Sequence, residues 1–316
     1  MRWFLGSLMT LAAMAACDPP GPERAHVEVL FSMDANRRPM ASAPAAQVAL
    51  GEALFTERLG AAACVDCHPR DRRGQDGAVH RRDTPALADV ARQTLFGRDG
   101  LAVTLKAMVR RELTQHHGLG DDAALQAALA VQPALPALFA QAHPGEAPTL
   151  TSASEALVAW LGTWRTRGRW DRYVEGDDLA LHAAERAGLA TFVEVGCAIC
   201  HGGRNLGGGS AHKLGLVVPF VATDHGRQQV TGQAADRDVW RAPMLRHVAH
   251  TAPYLHDGSV ARLDEVVRLM ARHELGKELT GPQVDSIVTL LAAVGDVDVD
   301  GSTPRLSLAM EPARER

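Results

Sequence analysis

A chain of 316 residues with 46% hydrophobic residues and a formal net charge of −4 has room for two small domains, and its interleaved charges give nucleic acid nothing to grip. Aromatic residues make up only 4%, so rings contribute little to the core unless a bound group supplies them. Five cysteines leave no disulfide framework, because four fall in two short motifs and Cys17 closes an apolar N-terminal run.

Trp3 to Ala16 is almost wholly apolar after a single Arg2. A membrane span needs about 20 such residues, so the run reads as a signal peptide over residues 1–17. Its end, Met14-Ala15-Ala16-Cys17, resembles a bacterial lipoprotein cleavage site, which makes Cys17 a lipidation site and gives the chain a lipid anchor. An ordinary secretory signal cleaved nearby is the alternative. Both imply export, to the periplasm or to a membrane anchor facing the periplasm or the cell surface. Residues 18–43 open with the Pro/Gly-rich Asp18 to Pro22 and read as a linker.

Ala45 to Leu59 reads as a helix, with Val48, Gly51 and Phe55 at helical spacing. It runs into Cys64-Val65-Asp66-Cys67-His68. Asp178 to Val193, with Leu181, Gly188 and Phe192, leads in the same way into Cys197-Ala198-Ile199-Cys200-His201. C-x-x-C-H is the attachment signature of a c-type haem: each sulfur forms a thioether to the porphyrin, and the histidine becomes an iron ligand. A thioredoxin-like dithiol explains neither the trailing histidine nor the duplication. A single zinc site made from both motifs has two ligands more than a tetrahedral ion uses. The repeat therefore predicts two covalent haem c groups in tandem domains.

Between the motifs, Ser152-x-x-Glu155 has the capping-box pattern and opens a helix with Leu157, Leu161 and Trp164 on one face. Trp160, Trp164 and Trp170 read as core packing. Gly202 to Gly215 is a glycine-rich loop without the Gly-Lys-Ser/Thr of a phosphate site. Leu263, Val267 and Met270 share a helical face. Thr280-Gly281-Pro282-Gln283 caps a last helix carrying Val284, Ile287, Val288 and Leu291. Strand signals are weak. The expected fold is mainly α, with two tandem cytochrome c-like haem domains at 44–170 and 171–295 and a tail over 296–316.

The stretches Asp224-His225-Gly226-Arg227, Val239-Trp240-Arg241-Ala242-Pro243-Met244-Leu245-Arg246-His247-Val248 and Thr251-Ala252-Pro253-Tyr254-Leu255-His256-Asp257-Gly258-Ser259 resemble the bacterial di-haem cytochrome c peroxidase family. The same superfamily includes MauG, which oxidises tryptophans of a partner protein. The resemblance implies that hydrogen peroxide is reduced at the N-terminal haem on His68. It also implies that a small cytochrome c or cupredoxin feeds electrons to the C-terminal haem, held by His201 and Met270. Periodicity alone makes Met270 a core residue; MauG-like members have Tyr there. Relatives are often homodimers.

The resemblance further implies a calcium ion between the domains, at positions matching Asp83, Thr251 and Pro253. The alternative is that Asp83 caps a turn before Pro85. Members of the peroxidase branch often carry a second histidine on the first iron; His80 is the one histidine of that short loop here, and with no histidine bound the first haem is five-coordinate or water-bound. Glu112 is the nearest candidate for the distal acid–base residue, with His116 or His117 as replacements and a solvated helix face as its plain reading. The family's bridging Trp is absent, since this chain reads Leu95-Phe96-Gly97-Arg98-Asp99-Gly100. A MauG-like enzyme acting on a partner protein and a non-enzymatic di-haem electron carrier stand as alternatives.

Overall fold

A computed structural model describes residues 24–31, 43–68 and 82–296. The signal peptide with Cys17, most of the expected linker, His80 and nearly all of the expected tail lie outside the described residues. The described chain is helical, in the order α1 Arg24–Phe31, α2 Ala45–Thr56, the short α3 Cys64–Cys67, α4 Leu105–Gln115, α5 Asp122–Ala130, α6 Leu135–Ala142, α7 Leu150–Leu161, α8 Arg169–Glu175, α9 Ala183–Val195, α10 Gln228–Thr231, α11 Leu263–Leu275 and α12 Gly281–Ala293. Two three-residue strands, β1 Ala211–Lys213 and β2 Val239–Arg241, pair antiparallel with His212 opposite Trp240. None of the described helices is long and apolar enough to cross a membrane.

Local chemistry sets the helix ends. Thr104, Asp121, Thr149 and Thr280 each accept a hydrogen bond from a backbone N–H in the first turn of the helix that follows. Gly176, Gly196 and Gly276 close α8, α9 and α11 in the left-handed conformation that lacks a penalty only for glycine. The cap expected at Ser152 sits three residues earlier. Thr149 is the N-cap and exchanges hydrogen bonds with Ser152, while Glu155 faces outward to Lys106 at 3.0 Å.

Two glycines place the main helix pairs. Gly51 in α2 lies against α7 so closely that a Cβ there would stand 2.0 Å from the Ala156 carbonyl oxygen. Gly188 in α9 lies against α12, where a Cβ would stand 2.2 Å from the Ser286 oxygen. One turn later in each helix comes a buried phenylalanine, Phe55 or Phe192. The sequence repeat is thus a repeated helix crossing, each followed by a haem motif.

Each half has its own core. The first gathers Leu50, Leu54, Phe55, Leu113, Leu157, Trp160 and Trp164, with Phe55 4.6 Å from Trp160 between ring centroids. The second gathers Trp170, Tyr173, Leu189, Phe192, Ile287 and Leu290. Trp160, Trp164 and Trp170 are all core residues, but Trp170 belongs to the second core, so the halves part between Trp164 and Trp170.

The stretch expected as a linker contains α1, and α1 is not a tether. Val27 and Phe31 are buried in the second core, Phe31 meets Trp170 edge-on at 5.4 Å, and Gly203 N–H donates to Leu30 O at 2.7 Å. Two large apolar side chains on an eight-residue helix have no reason to stay in water when an apolar seat is available.

Candidate haem centres

Cys64 and Cys67 stand at the two ends of α3, one turn apart, and His68 follows as its cap. Asp66 accepts a hydrogen bond from Ala63 N–H at 2.9 Å, which fixes the start of that turn. Burial, with Glu112 adding its charge, pushes the Cys64 thiol up to about 12. The second motif forms a tight turn after Gly196, and burial pushes the Cys197 thiol up to about 11. Apolar, uncharged sulfur in this setting suits a thioether to an apolar macrocycle better than a thiolate.

The two motif histidines are held alike. His68 Nδ1–H donates to Pro85 O at 3.1 Å, and His201 Nδ1–H donates to Pro243 O at 3.1 Å and Leu206 O at 3.3 Å. A carbonyl oxygen can only accept, so the proton sits on Nδ1 and the Nε2 lone pair is left for a metal. This is the orienting hydrogen bond that iron-bound histidines use. Burial also lowers the pKa of His201, which keeps its ring neutral. The residues therefore fit a haem at each motif. Sequence reading gives no signal for Pro85 or Pro243, since Pro69 and Pro219 lie nearer to the motif histidines.

Met270 is half-buried on α11. One turn later on the same face, Glu274 accepts hydrogen bonds from Gly215 N–H at 2.8 Å and Leu216 N–H at 3.5 Å. Burial raises the Cys200 thiol pKa, and the Glu274 charge raises it further. That face of α11 therefore borders the second motif, and Met270 is on it. Cys200 also lines a cavity of about 290 Å³ at the seam, together with Gln93 and Thr94 of the first half and Asn205 and Ser210 of the second.

Near the first motif, α4 and the turn after it bring Glu112 and His117 together with Cys64. His117 is buried, its Nδ1–H donates to Leu59 O at 3.2 Å, and its Nε2 faces Cys64 Sγ at 3.6 Å. Burial lowers the pKa of His117. Glu112 is half-buried, 3.4 Å from the exposed His116. Burial lifts its carboxyl above the usual range, against the pull of His116 and Arg111.

The calcium expectation meets an ion pair. Arg98 donates from Nε to Asp83 O at 2.9 Å and from Nη2 to the Asp83 carboxylate at 3.2 Å, with a further short bond from Nη2 to Asp83 O. No cluster of three or more His, Cys, Asp or Glu side chains suited to a metal occurs among the described residues. The Arg98 guanidinium therefore shares the Asp83 oxygens with any cation that Asp83, Thr251 and Pro253 would hold.

The rest of the seam is built on arginines. Arg82 pairs with Asp224 at 2.7 and 2.9 Å, and Arg227 Nε donates to Asp99 O at 2.8 Å. Arg241 donates to Gly97 O at 2.8 Å and Gln93 Oε1 at 2.6 Å. Deeper still, Arg246 and His247 both reach Asp89, and Arg246 also bonds Asp171 at 2.9 Å.

The model of the di-haem cytochrome c peroxidase family matches residues 45–179. A cytochrome c551 peroxidase of Pseudomonas aeruginosa is 37% identical over 183 residues, covering 55% of this chain and 51% of that protein, so the chain spans about half of that curated relative. The methylamine utilization protein MauG of Methylorubrum extorquens is 30% identical over 241 residues, covering 70% of this chain and 67% of that one. A solved MauG-like protein associated with microbial copper homeostasis superposes with a TM-score of 0.66 at 24% identity, covering 80% of this chain and 90% of that one, which is a likeness of fold.

Proposed function

The chain belongs to the di-haem cytochrome c peroxidase family, and on that footing we propose that it reduces hydrogen peroxide to water with electrons from a small cytochrome c or cupredoxin. Haem c at each motif supplies the redox-active iron, open to peroxide at the first site and dedicated to electron entry at the second. The observation that carries this reading is the matched pair of histidines, each with Nδ1 tied to a proline carbonyl and Nε2 left to bind iron.

In this reading Cys64 and Cys67 hold one haem and Cys197 and Cys200 the other. His68 and His201 would each hold an iron through Nε2. Met270 would help His201 hold the second iron, where a thioether would raise the potential and keep substrate away. Glu112 takes a proton from peroxide as it binds and returns it to the leaving oxygen. Each peroxide consumes two electrons and two protons and yields two waters. Met270 also favours the peroxidase reading over the MauG-like one, whose members have Tyr at that place. Covalent haem attachment is consistent with a periplasmic location.

Steady-state oxidation of a reduced small cytochrome c by peroxide tests the proposal. Turnover far above that of free haem is expected, and turnover no faster than free haem sinks it. Met270→Ala is expected to lose the thioether–iron charge-transfer band and to take electrons from the donor more slowly.

A further inference from the structure

In the family pattern a tryptophan lies between the haem motifs; here that stretch carries Arg98 instead. A different tryptophan is on the path between them. Trp240 lies in β2, is 8% exposed, and stacks on His256 with centroids 4.4 Å apart and planes 33° from parallel. The Arg82 guanidinium covers it at 4.8 Å. Gly226 permits the close approach of backbone to the indole, since a Cβ there would come within 2.8 Å of Cε2. The indole Nε1–H has no hydrogen-bond partner among the described residues.

Both rings connect to the motif histidines. From Trp240 the chain continues through Arg241 and Ala242 to Pro243, whose carbonyl accepts from His201 Nδ1–H at 3.1 Å. On the other side His256 O accepts from Asp83 N–H at 2.8 Å, and two residues later Pro85 O accepts from His68 Nδ1–H at 3.1 Å. The route from one proximal histidine to the other is therefore covalent, apart from hydrogen bonds and a single ring stack.

We propose that Trp240, stacked on His256, carries electrons between the two haem sites in place of the tryptophan missing at Arg98. This rests on the proposed function, in which the two sites must exchange electrons. Each crossing leaves the second site one electron poorer and the first one electron richer, and Trp240 returns to its starting state. The donor protein supplies the electrons and peroxide consumes them, so one turnover needs two crossings. The indole Nε1–H has no acceptor among the described residues, so the proposed crossing hands no proton to them.

A bare cation over the ring opposes removal of an electron from it, so the charge balance matters. Arg82 is neutralised by Asp224, at 2.7 and 2.9 Å. Arg98, the other cation acting on His256, is paired with Asp83, and Asp257 adds a negative charge beside His256. The stack therefore sits in surroundings that are charge-balanced. A competing route exists: Arg241 N–H donates to Arg98 O at 2.9 Å, and the Arg98 guanidinium bonds Asp83 O.

The test uses the haem-loaded wild type, Trp240→Phe and Trp240→Leu. Mass spectrometry counts covalent haems and a redox titration fixes both potentials. Pulse radiolysis without peroxide then injects one electron and follows its equilibration between the sites. Trp240→Leu should slow that step about tenfold or more, a barrier increase of about 1.4 kcal/mol, with haem content and potentials unchanged. Trp240→Phe should fall between Leu and wild type. A wild-type rate in Trp240→Leu with native haem content overturns the proposal and assigns the crossing to the Arg98 route. Should Trp240→Leu fail to load haem, a wild-type rate in Trp240→Phe overturns it equally. If peroxide turnover is absent from the wild type while Trp240→Leu still slows the internal step, the proposed function fails and the relay stands.

Discussion

The carboxylate of Asp89 and the guanidinium of Arg246 meet at 3.3 Å across the two halves with neither side chain exposed to solvent. Burial alone would raise the Asp89 pKa, but Arg246 and His247 overcome it and hold the carboxyl well below the usual range. Thr166 O–H and Thr166 N–H also donate to it, the latter at 3.0 Å. Removing one member strands a buried charge. Asp89→Ala is expected to cost about 3–5 kcal/mol in denaturant unfolding.

The same pair sets a pH dependence. A carboxyl depressed in the folded state contributes stability above its unfolded pKa, about 3.9, and loses it as pH falls toward the folded value. Wild-type stability should therefore decline on acidification below about pH 5, and Asp89→Asn should flatten that decline. Unfolding midpoints measured over a pH series check the slope. An unchanged slope in Asp89→Asn assigns the acid sensitivity elsewhere, with Asp171 next in line.

Gly51→Ala and Gly188→Ala each set two effects against each other. Alanine favours a helix interior over glycine by about 0.5–1 kcal/mol. The new methyl, however, lands 2.0 Å from Ala156 O or 2.2 Å from Ser286 O, and a carbonyl in a neighbouring helix cannot step aside. Overpacking costs about 1–3 kcal/mol, so both substitutions should lower the melting temperature. A rise in either would mean that the helices part at no cost.

Arg98 decides the response to chelators. Because its guanidinium satisfies the Asp83 oxygens, EGTA should leave the melting temperature and the haem spectra of the wild type unchanged. Arg98→Ala removes that counter-charge from a partly buried pair and should cost about 2 kcal/mol. Calorimetric titration with calcium checks the wild type directly, and stoichiometric uptake would contradict the ion-pair reading.

Glu112 predicts a pH–rate profile. Burial raises its pKa, so the base form is reached only above the ordinary glutamate value of about 4.3. Peroxide turnover should rise with pH through that raised value. Glu112→Gln should abolish this acid limb and lower the rate by about 10²–10⁴. A limb that persists in Glu112→Gln passes the role to His116 or His117.

What sequence alone could read was chemistry confined to a few neighbouring residues. Both C-x-x-C-H motifs are legible because two thioethers and a ligand must reach one macrocycle from adjacent positions. The Gly51/Phe55 and Gly188/Phe192 spacing is legible because one helical turn enforces it. The joins were not legible. Asp89 meets His247 across 158 residues and Arg82 meets Asp224 across 142, with no periodicity linking them. Arg98 gave no hint of its partner, since an arginine in a loop reads as surface. The Ser152 cap was misplaced because Thr149 offers the same hydroxyl one turn earlier.

The placement of α1 gives the molecule an order of assembly. Val27 and Phe31 leave the ribosome before any of the first half, yet the seat they fill is made by Trp170 and its neighbours. The second half is thus discontinuous in sequence, like a clasp whose tongue is made long before its buckle. During synthesis that tongue waits while the whole first half emerges. A nick between Trp164 and Trp170 would not yield two self-sufficient pieces: one carries a greasy helix with nowhere to lie, and the other an open face over Trp170.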